Sequence, residues 1–267
     1  MAVEVFHKAS LVHDDIEDDD DYRYGVETVH RRYGMPTAIN VGDYLIGLGY
    51  RLLSSQASAL GAEVVTDILT HAAHAHVRLT EGQGAELVWR DSLDKQLSSA
   101  DATRIYELKT APAFEAALFS GLRLAGHVDG SVTAMRQYAR NLGVAFQILN
   151  DLGDWIGDDH NKLAAGGDVL GGRPTLLWAL ALERLDPTDR NELLTKADSS
   201  GSTSNASLQR VRELYEKVDV FDRAMQLVDE YRRSATEAAD AFNPPPLKQL
   251  LRYLVEKVLA RPESAHK

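Results

Sequence analysis

Two clusters of carboxylate and amide side chains, set within apolar segments and 136 positions apart, constrain the fold of this 267-residue chain most strongly. The first lies at Asp14–Asp18 and the second at Asn150–Asp154. In both, acidic or amide residues fall at positions i, i+1 and i+4, and a helix places the first and last of these one turn apart on one face. Like charges packed this closely repel one another unless cations neutralise them. The pattern therefore predicts two helices that share a cation site.

The ligand chemistry of these clusters indicates magnesium. Carboxylate and amide groups offer only oxygen atoms, which suit a hard divalent cation. Mg²⁺ binds to one or two carboxylates and completes its coordination shell with water and with phosphate oxygens of a substrate. The simplest hypothesis is a magnesium–diphosphate site between two helices.

Composition excludes several other classes of function. The net charge of −11 argues against general nucleic-acid binding. The absence of cysteine excludes disulfides, thiolate metal sites and cysteine nucleophiles. No apolar run approaches the roughly 20 residues needed to cross a bilayer, and acidic residues that begin at Glu4 argue against a signal peptide. We expect a cytoplasmic protein without a transmembrane segment.

Apolar residues at helical spacing predict helices along nearly the whole chain. Gly25, Gly34, Pro36 and the triple proline at 244–246 interrupt this pattern. We predict helices at about 1–18, 38–60, 61–90, 99–126, 130–158, 173–184, 208–241 and 247–261, with loops at 22–35 and 197–207. No segment shows the alternation typical of a β-strand. The chain is interpreted as one all-α domain that spans residues 1–267.

Five blocks of sequence, in order along most of the chain, resemble the trans-isoprenyl diphosphate synthases, also called polyprenyl synthetases. The first cluster, Asp14–Asp18, resembles the first aspartate-rich motif of that family, and residues 146–154 resemble the second. Between and after them lie the other blocks, Ala38–Leu45, Lys109-Thr110 and Gly167–Thr175. A single aspartate-rich motif is weak support for membership, whereas five blocks in the family's order are specific.

The resemblance implies an all-α helical bundle around a central cavity and a prenyltransferase reaction. In the family, Mg²⁺ ions bridge both motifs to an allylic isoprenoid diphosphate, whose departure leaves a carbocation that isopentenyl diphosphate attacks. By motif match the metal ligands are Asp14, Asp15, Asp18, Asn150, Asp151 and Asp154. The residues expected to contact diphosphate are Arg23, Lys109, Thr110, Gln147 and Arg173. Asp14, Asp18, Lys109 and Asp151 are the expected catalytic residues.

Three departures from the family pattern concern the same site. Asn150 replaces the usual aspartate, and a neutral amide should bind the metal less tightly. Tyr24 replaces a second arginine that serves the isopentenyl diphosphate site in the family. A Gly-Gly-Lys segment of the family precedes the first motif, whereas only 13 residues precede Asp14 here, so we expect that the family's first helices are missing.

These departures leave three interpretations open. The first is an active synthase that makes a geranylgeranyl-like or longer diphosphate. The second is an enzyme similar to class I terpene cyclases, which ionises an allylic diphosphate without isopentenyl diphosphate. The third is a non-catalytic subunit of a heteromeric synthase. The family also suggests a homodimer, and missing helices would expose apolar faces that favour self-association or a partner chain.

Product length in the family depends on residues upstream of the first motif, which line the tunnel for the growing hydrocarbon. On a helix, the positions four, five and eight before Asp14 are Ser10, Ala9 and Phe6. The first two are small and leave the tunnel open, so Phe6 is the expected floor. This arrangement favours a product longer than farnesyl diphosphate, with geranylgeranyl diphosphate as the central expectation.

Overall fold

The computed structural model describes residues 1–126, 130–156, 166–197 and 205–260, which form helices and one short β-hairpin. The helices are α1 (Ala2–Glu17), α2 (Val29–Tyr33), α3 (Met35–Ser54), α4 (Ala57–Leu60), α5 (Ala62–Asp91), α6 (Ser99–Lys109), α7 (Ala111–Leu124), α8 (Val132–Ile156), α9 (Gly167–Leu170), α10 (Leu176–Arg184), α11 (Pro187–Ala197), α12 (Asn205–Lys217), α13 (Val220–Ala239) and α14 (Pro245–Val258). The strands β1 (Tyr22–Arg23) and β2 (Val26–Glu27) pair antiparallel. No helix in the described ranges is both long and apolar enough to traverse a bilayer.

The chain divides into two compact units. Unit 1 consists of Met1–Ala75, Ala116–Val128 and Asp159–Leu163, and unit 2 consists of His76–Glu115, Asp129–Asp158 and Ala164–Lys267. The first acidic cluster belongs to unit 1 and the second to unit 2. The expectation of a single domain stays a prediction.

In unit 1, α1 packs antiparallel along α3 because two glycines of α3 accept side chains of α1. A β-carbon at Gly49 would lie 2.6 Å from the ring of Phe6, and one at Gly42 would overlap the ring of His13. The two glycines are seven residues apart, as are Phe6 and His13, so each pair lies on one helix face two turns apart. Phe6 also packs edge-on against Tyr50, with ring centroids 4.8 Å apart. Close contact along this seam fixes the direction in which the end of α1 points.

In unit 2, α10 is the most deeply buried helix, since every residue from Leu176 to Leu182 is buried. The long helices α8 and α13 pack along each other, and α6 contacts both α8 and α10. Aromatic rings fill the space beside them. Trp155 packs against Tyr215 and Phe221 with ring centroids 5.2 Å and 5.9 Å apart. The second acidic cluster therefore lies on a helix that is enclosed by its neighbours.

The all-α prediction is confirmed, while several predicted boundaries are wrong for local reasons. The predicted helix at 99–126 breaks at Thr110 because Pro112, in the first turn of α7, cannot donate a backbone hydrogen bond to α6. The predicted helix at 208–241 breaks at Asp219, whose φ of 55° is left-handed. The predicted loop at 22–35 contains the hairpin and α2, and α11 was not predicted. Of the predicted loop at 197–207, residues 198–204 lie outside the described ranges.

Candidate active site

The first acidic cluster occupies the last turn of α1. The backbone N–H of Asp18 donates to the carbonyl of Asp14 at 2.8 Å, so these residues lie one helical turn apart, as predicted. No basic residue lies in this turn, although the C-terminal end of a helix carries a partial negative charge that favours cations. Like charges at this spacing repel one another, and a bound divalent cation would neutralise that repulsion.

Asp15 is buried, with 4% of its surface exposed, whereas Asp14 and Asp18 are partly exposed. Its Oδ1 accepts a hydrogen bond from Arg23 Nε at 2.5 Å. Burial raises the pKa of Asp15, and the Arg23 guanidinium opposes that rise. Asp15 therefore holds Arg23 beside the cluster, and its predicted role as a metal ligand stays a prediction.

The hairpin that follows α1 determines where Arg23 lies. Tyr24 and Gly25 both have positive φ, 52° and 73°, which turns the chain sharply after Arg23. The Tyr24 side chain is exposed. Arg31 on α2 binds Asp19 at 2.9 Å and Asp21 at 2.7 Å, so the acidic residues beyond the motif are engaged locally.

Of the three predicted chain-length residues, Phe6 and Ala9 share one face of α1, and Ser10 lies on another. Ala9 is 1% exposed and lies between Phe6 and His13 in the i, i+3, i+7 stripe that packs against α3. Ser10 is exposed, and its hydroxyl donates to the His7 carbonyl at 2.9 Å. Ser10 shares its face with Asp14, four residues later. Within unit 1, Ser10 therefore lies on the same face of α1 as Asp14, a predicted metal ligand, while Ala9 lies on the face that packs against α3.

The second cluster contains a carboxylate that three donors bind. Asp151 is 2% exposed, and its Oδ2 accepts hydrogen bonds from the Tyr106 hydroxyl and from the Leu176 backbone N–H at 3.2 Å. Gln147 Nε2 approaches Oδ1 at 3.5 Å. Because Leu176 begins α10, Asp151 also lies at the positive end of that helix. Burial and the nearby negative charge of Asp168 raise the pKa of Asp151 well above its usual range.

Asp154 belongs to a second polar group of unit 2, around α9. Its Oδ2 accepts from the Asp168 backbone N–H at 3.0 Å, and the Asp168 carboxylate binds Arg173 Nη1 at 3.0 Å. Gly166, with φ of 82°, and Gly172, with φ of 62°, provide the turns on either side of α9. Asp154 thus anchors the segment that carries Arg173.

Helix packing determines where the other predicted site residues of unit 2 lie. Gly82 on α5 lets the end of α6 approach closely, since a β-carbon there would lie 2.5 Å from Lys109 N. One turn later, Glu86 binds Lys109 Nζ at 2.9 Å. Thr110 donates to Gln147 Oε1 at 3.4 Å, which brings these two predicted residues together. Asn150 is exposed and does not share the burial of Asp151.

Three polar residues at this site were not among the predicted site residues. Tyr106 and Glu86 are buried and bind predicted site residues directly. Asp168, recognised only as part of a motif, carries the ion pair to Arg173. The i, i+3 spacing of Tyr106 and Lys109 was visible in the sequence, but the partners of Tyr106 lie 45 and 70 residues further on. Spacing along one helix gave no signal for such partners.

The donor chemistry of these residues fits magnesium. In the described part of the chain, no three His, Cys, Asp or Glu side chains could hold a metal ion between them. A Mg²⁺ ion needs only one or two carboxylates when water and phosphate oxygens complete its shell. Asp14 and Asp18, partly exposed and one turn apart, provide such a pair.

Comparison with known proteins agrees with the geometry. A family model described as polyprenyl synthetase matches residues 1–218, a range that includes both acidic clusters. The chain belongs to the polyprenyl synthetase family. Membership makes it an enzyme, a transferase of prenyl groups, as the sequence predicted. Its fold is the all-α fold of that family.

Relatives and solved structures extend this finding. The geranylgeranyl diphosphate synthase of Sulfolobus acidocaldarius is 30% identical over 97% of this polyprenyl synthetase and 78% of its own length. A polyprenyl synthase of Caulobacter crescentus, solved with calcium and isoprenyl diphosphate, has a TM-score of 0.84 and 30% identity over 98% of this chain and 77% of its own. A geranylgeranyl pyrophosphate synthetase of Pyrococcus horikoshii has a TM-score of 0.83 and 27% identity over 98% and 78% of the two chains.

Proposed function

We propose that this polyprenyl synthetase joins isopentenyl diphosphate to an allylic isoprenoid diphosphate and makes a geranylgeranyl-like or longer product. The observation that carries this proposal is the family match across residues 1–218. Relatives include geranylgeranyl and geranylfarnesyl diphosphate synthases, which supports the product range. The allylic C–O bond breaks with its electron pair on the leaving diphosphate, the alkene of isopentenyl diphosphate bonds to the resulting cation, and a proton is lost.

The carboxylates of both motifs are proposed to act in this one reaction. Asp14 and Asp18 would hold Mg²⁺ in unit 1, and Asn150, Asp151 and Asp154 would serve the same reaction from unit 2. When bound, Mg²⁺ stabilises the negative charge that develops on the leaving oxygens. The buried position of Asp151 supports a preorganised role, since its carboxylate is already oriented by donors of unit 2.

Three cationic side chains are proposed to contact diphosphate. Arg23, Lys109 and Arg173 each bind a carboxylate within their own unit, and each keeps about a quarter of its side chain exposed. Arg23 also lies 3.7 Å from a second carboxylate, that of Asp20. A guanidinium has five N–H donors, so the bond of Arg23 to Asp15 leaves donors that can bind phosphate oxygens. The carboxylate partners hold these cations in position before substrate arrives. Thr110 and Gln147, which bind each other, are lesser polar contacts.

The chain-length proposal rests on α1. Ser10 lies on the exposed face shared with Asp14, so a bulky side chain there should meet a growing hydrocarbon. Replacing Ser10 with Phe should shorten the product, as gas chromatography of the dephosphorylated alcohols will show. An unchanged product distribution would refute the assignment. The matched variant Ala9→Phe should instead overpack the α1–α3 seam and lower the melting temperature.

Incubation of the purified chain with Mg²⁺ and farnesyl diphosphate, with and without labelled isopentenyl diphosphate, tests the function. The proposal expects label in a longer diphosphate and release of inorganic diphosphate only when both substrates are present. Release without isopentenyl diphosphate, with hydrocarbon or alcohol as product, would support a cyclase-like enzyme. No release under either condition would point to a non-catalytic subunit.

A homodimer is proposed for the chain, with a heteromeric partner as the alternative. Tyr33, Met35 and Ile39, near the start of α3, are 60%, 52% and 46% exposed. An apolar surface of this kind favours association with another chain. Light scattering of the purified chain should give about twice the 29.4 kDa monomer mass. The cytoplasmic location stays a prediction.

A further inference from the structure

The hydroxyl of Tyr106 joins three helices of unit 2 at one point. Tyr106 is in the last turns of α6 and is 3% exposed. Its hydroxyl contacts Asp151 Oδ2 on α8 and lies 2.7 Å from the backbone nitrogen of Leu176, the first residue of α10. Burying a hydroxyl costs free energy unless it is hydrogen-bonded, so a phenylalanine would fill this space at lower cost if packing were the only role.

The chemistry of the partners fixes the direction of each hydrogen bond. A backbone N–H can only donate, so the Tyr106 oxygen accepts from Leu176. Its own proton is then directed to Asp151 Oδ2, which also accepts from Leu176 N at 3.2 Å. Rotation of the Asp151 carboxylate would break both bonds and leave the buried Tyr106 hydroxyl without an acceptor for its proton. The carboxylate is therefore held in one orientation, with Oδ1 on the side of Gln147.

We propose that Tyr106 is a positioning residue that holds Asp151 Oδ2 against the start of α10, so that Oδ1 is the oxygen presented toward the diphosphate and its Mg²⁺. This inference rests on the proposed function. Tyr106 itself touches neither substrate nor metal in this account. It acts through Asp151, as outer-shell partners do when they orient a metal ligand.

The test compares two buried tyrosines of unit 2. Tyr106→Phe removes the hydroxyl that binds Asp151 and keeps the ring. Tyr138→Phe is the matched control, because Tyr138 is also 3% exposed and its hydroxyl donates to the Leu251 carbonyl at 2.9 Å. Calorimetry measures how the binding of a farnesyl thiolodiphosphate, in which sulfur replaces the bridging oxygen, depends on Mg²⁺ concentration.

The expected result is a rise of about tenfold or more in the Mg²⁺ concentration at half-saturation for Tyr106→Phe, in line with the loss of an outer-shell partner. Tyr138→Phe should stay within about twofold of the wild type. If both variants lower the melting temperature but leave the Mg²⁺ midpoint unchanged, Tyr106 is only structural and the proposal is overturned. Because the analogue is not turned over, this result stands apart from whether the chain elongates prenyl chains.

A measurement on the unaltered protein covers the case in which Tyr106→Phe does not fold. Hydrogen exchange of the Leu176 amide is compared with and without Mg²⁺ and the thiolodiphosphate. If Asp151 stays in position, the Leu176 amide keeps its acceptors and its exchange is as slow or slower in the complex. Faster exchange in the complex would mean that Asp151 leaves Tyr106 and Leu176 on binding, which contradicts a positioning role.

Discussion

The two acidic motifs have the same spacing but differ in their surroundings. In unit 1, Asp14 and Asp18 are partly exposed at the end of a helix that has no basic residue in its last turn. In unit 2, Asp151 and Asp154 are each 2% exposed and accept hydrogen bonds from backbone N–H groups. Similar residue types thus occupy a partly exposed helix end in one unit and a buried site with backbone donors in the other.

Because their surroundings differ, the two motifs should respond differently to substitution. At the partly exposed helix end, a carboxylate is proposed to bind the ligand, and its repulsion from like charges opposes stability. In the interior, a carboxylate also satisfies buried donors, and its removal leaves them without a partner. A substitution in the unit 1 motif should therefore lower activity without lowering stability, whereas one in the unit 2 motif should lower both.

The largest expected effect is in unit 1. Asp14→Asn and Asp18→Asn keep the shape of each side chain but remove its charge, so kcat/KM should fall by about 10³-fold, comparable to the loss of a major electrostatic contact in a transition state. The melting temperature should stay the same or rise, because repulsion is relieved. Steady-state kinetics and calorimetric melting measure both. Asp21→Asn, in the same acidic run but bound to Arg31, should retain activity within about twofold.

How far the sequence predicted these motifs depends on the range of the contacts involved. Helical periodicity and the i, i+4 spacing placed Asp14 and Asp18 on one face, because both features are local to α1. The sequence could not show that Asp15 turns inward to Arg23, since that depends on the positive φ of Tyr24 in a hairpin that residue patterns did not indicate.

The same limit applies more strongly in unit 2. Asp151 and Asp154 were recognised by motif, but their burial depends on α10 and on the turn around α9, whose contacting residues come 25 and 14 residues later. Tyr106 was missed because the partner that gives it a role is 45 positions away. Local rules predict helices and faces, whereas enclosed networks are produced by tertiary packing.

The second effect concerns stability in unit 2. Asp151→Asn places an amide where Tyr106 and Leu176 donate, so one of these donors loses its acceptor whenever the amide nitrogen faces it. The free energy of unfolding should fall by roughly 3 kcal/mol, together with activity. Urea unfolding followed by tryptophan fluorescence measures this, since Trp89, Trp155 and Trp178 all lie in unit 2. If Asp151→Asn is as stable as the wild type, the predicted difference in stability response between the two motifs is contradicted.

Alkaline pH should lower the free energy of unfolding of unit 2 by a smaller amount. Burial raises the pKa of Tyr138 to about 12 from an ordinary value of 10.0. The unfolded chain loses this proton from pH 10 upward while the folded chain keeps it to about pH 12, so the stabilisation is complete below pH 10 and is lost between pH 10 and 12. The loss should be about 2 kcal/mol. Tyr138→Phe should flatten the dependence of the urea midpoint on pH, and an unchanged slope would contradict this prediction.

The smallest expected effect is a gain in apparent Mg²⁺ affinity when Asn150 is replaced. Because Asn150 is exposed, Asn150→Asp adds a charged oxygen ligand without disturbing the interior of unit 2. The Mg²⁺ concentration at half-maximal activity should fall about fivefold, since a carboxylate binds Mg²⁺ better than an amide does. Asn150→Ser, which adds no charge, is the control. An unchanged Mg²⁺ requirement for Asn150→Asp would show that this position does not face the metal.

A double-mutant cycle between the two units tests most directly whether both motifs act on one substrate. Asp18→Asn, Asn150→Asp and the double variant are compared with the wild type by the affinity of the farnesyl thiolodiphosphate at fixed Mg²⁺. Distant sites that share no partner give effects that add to within about 0.5 kcal/mol. We predict a coupling larger than this, with most of the gain in affinity from Asn150→Asp lost when Asp18 is replaced by Asn. Strict additivity would contradict it, because each motif would then act alone.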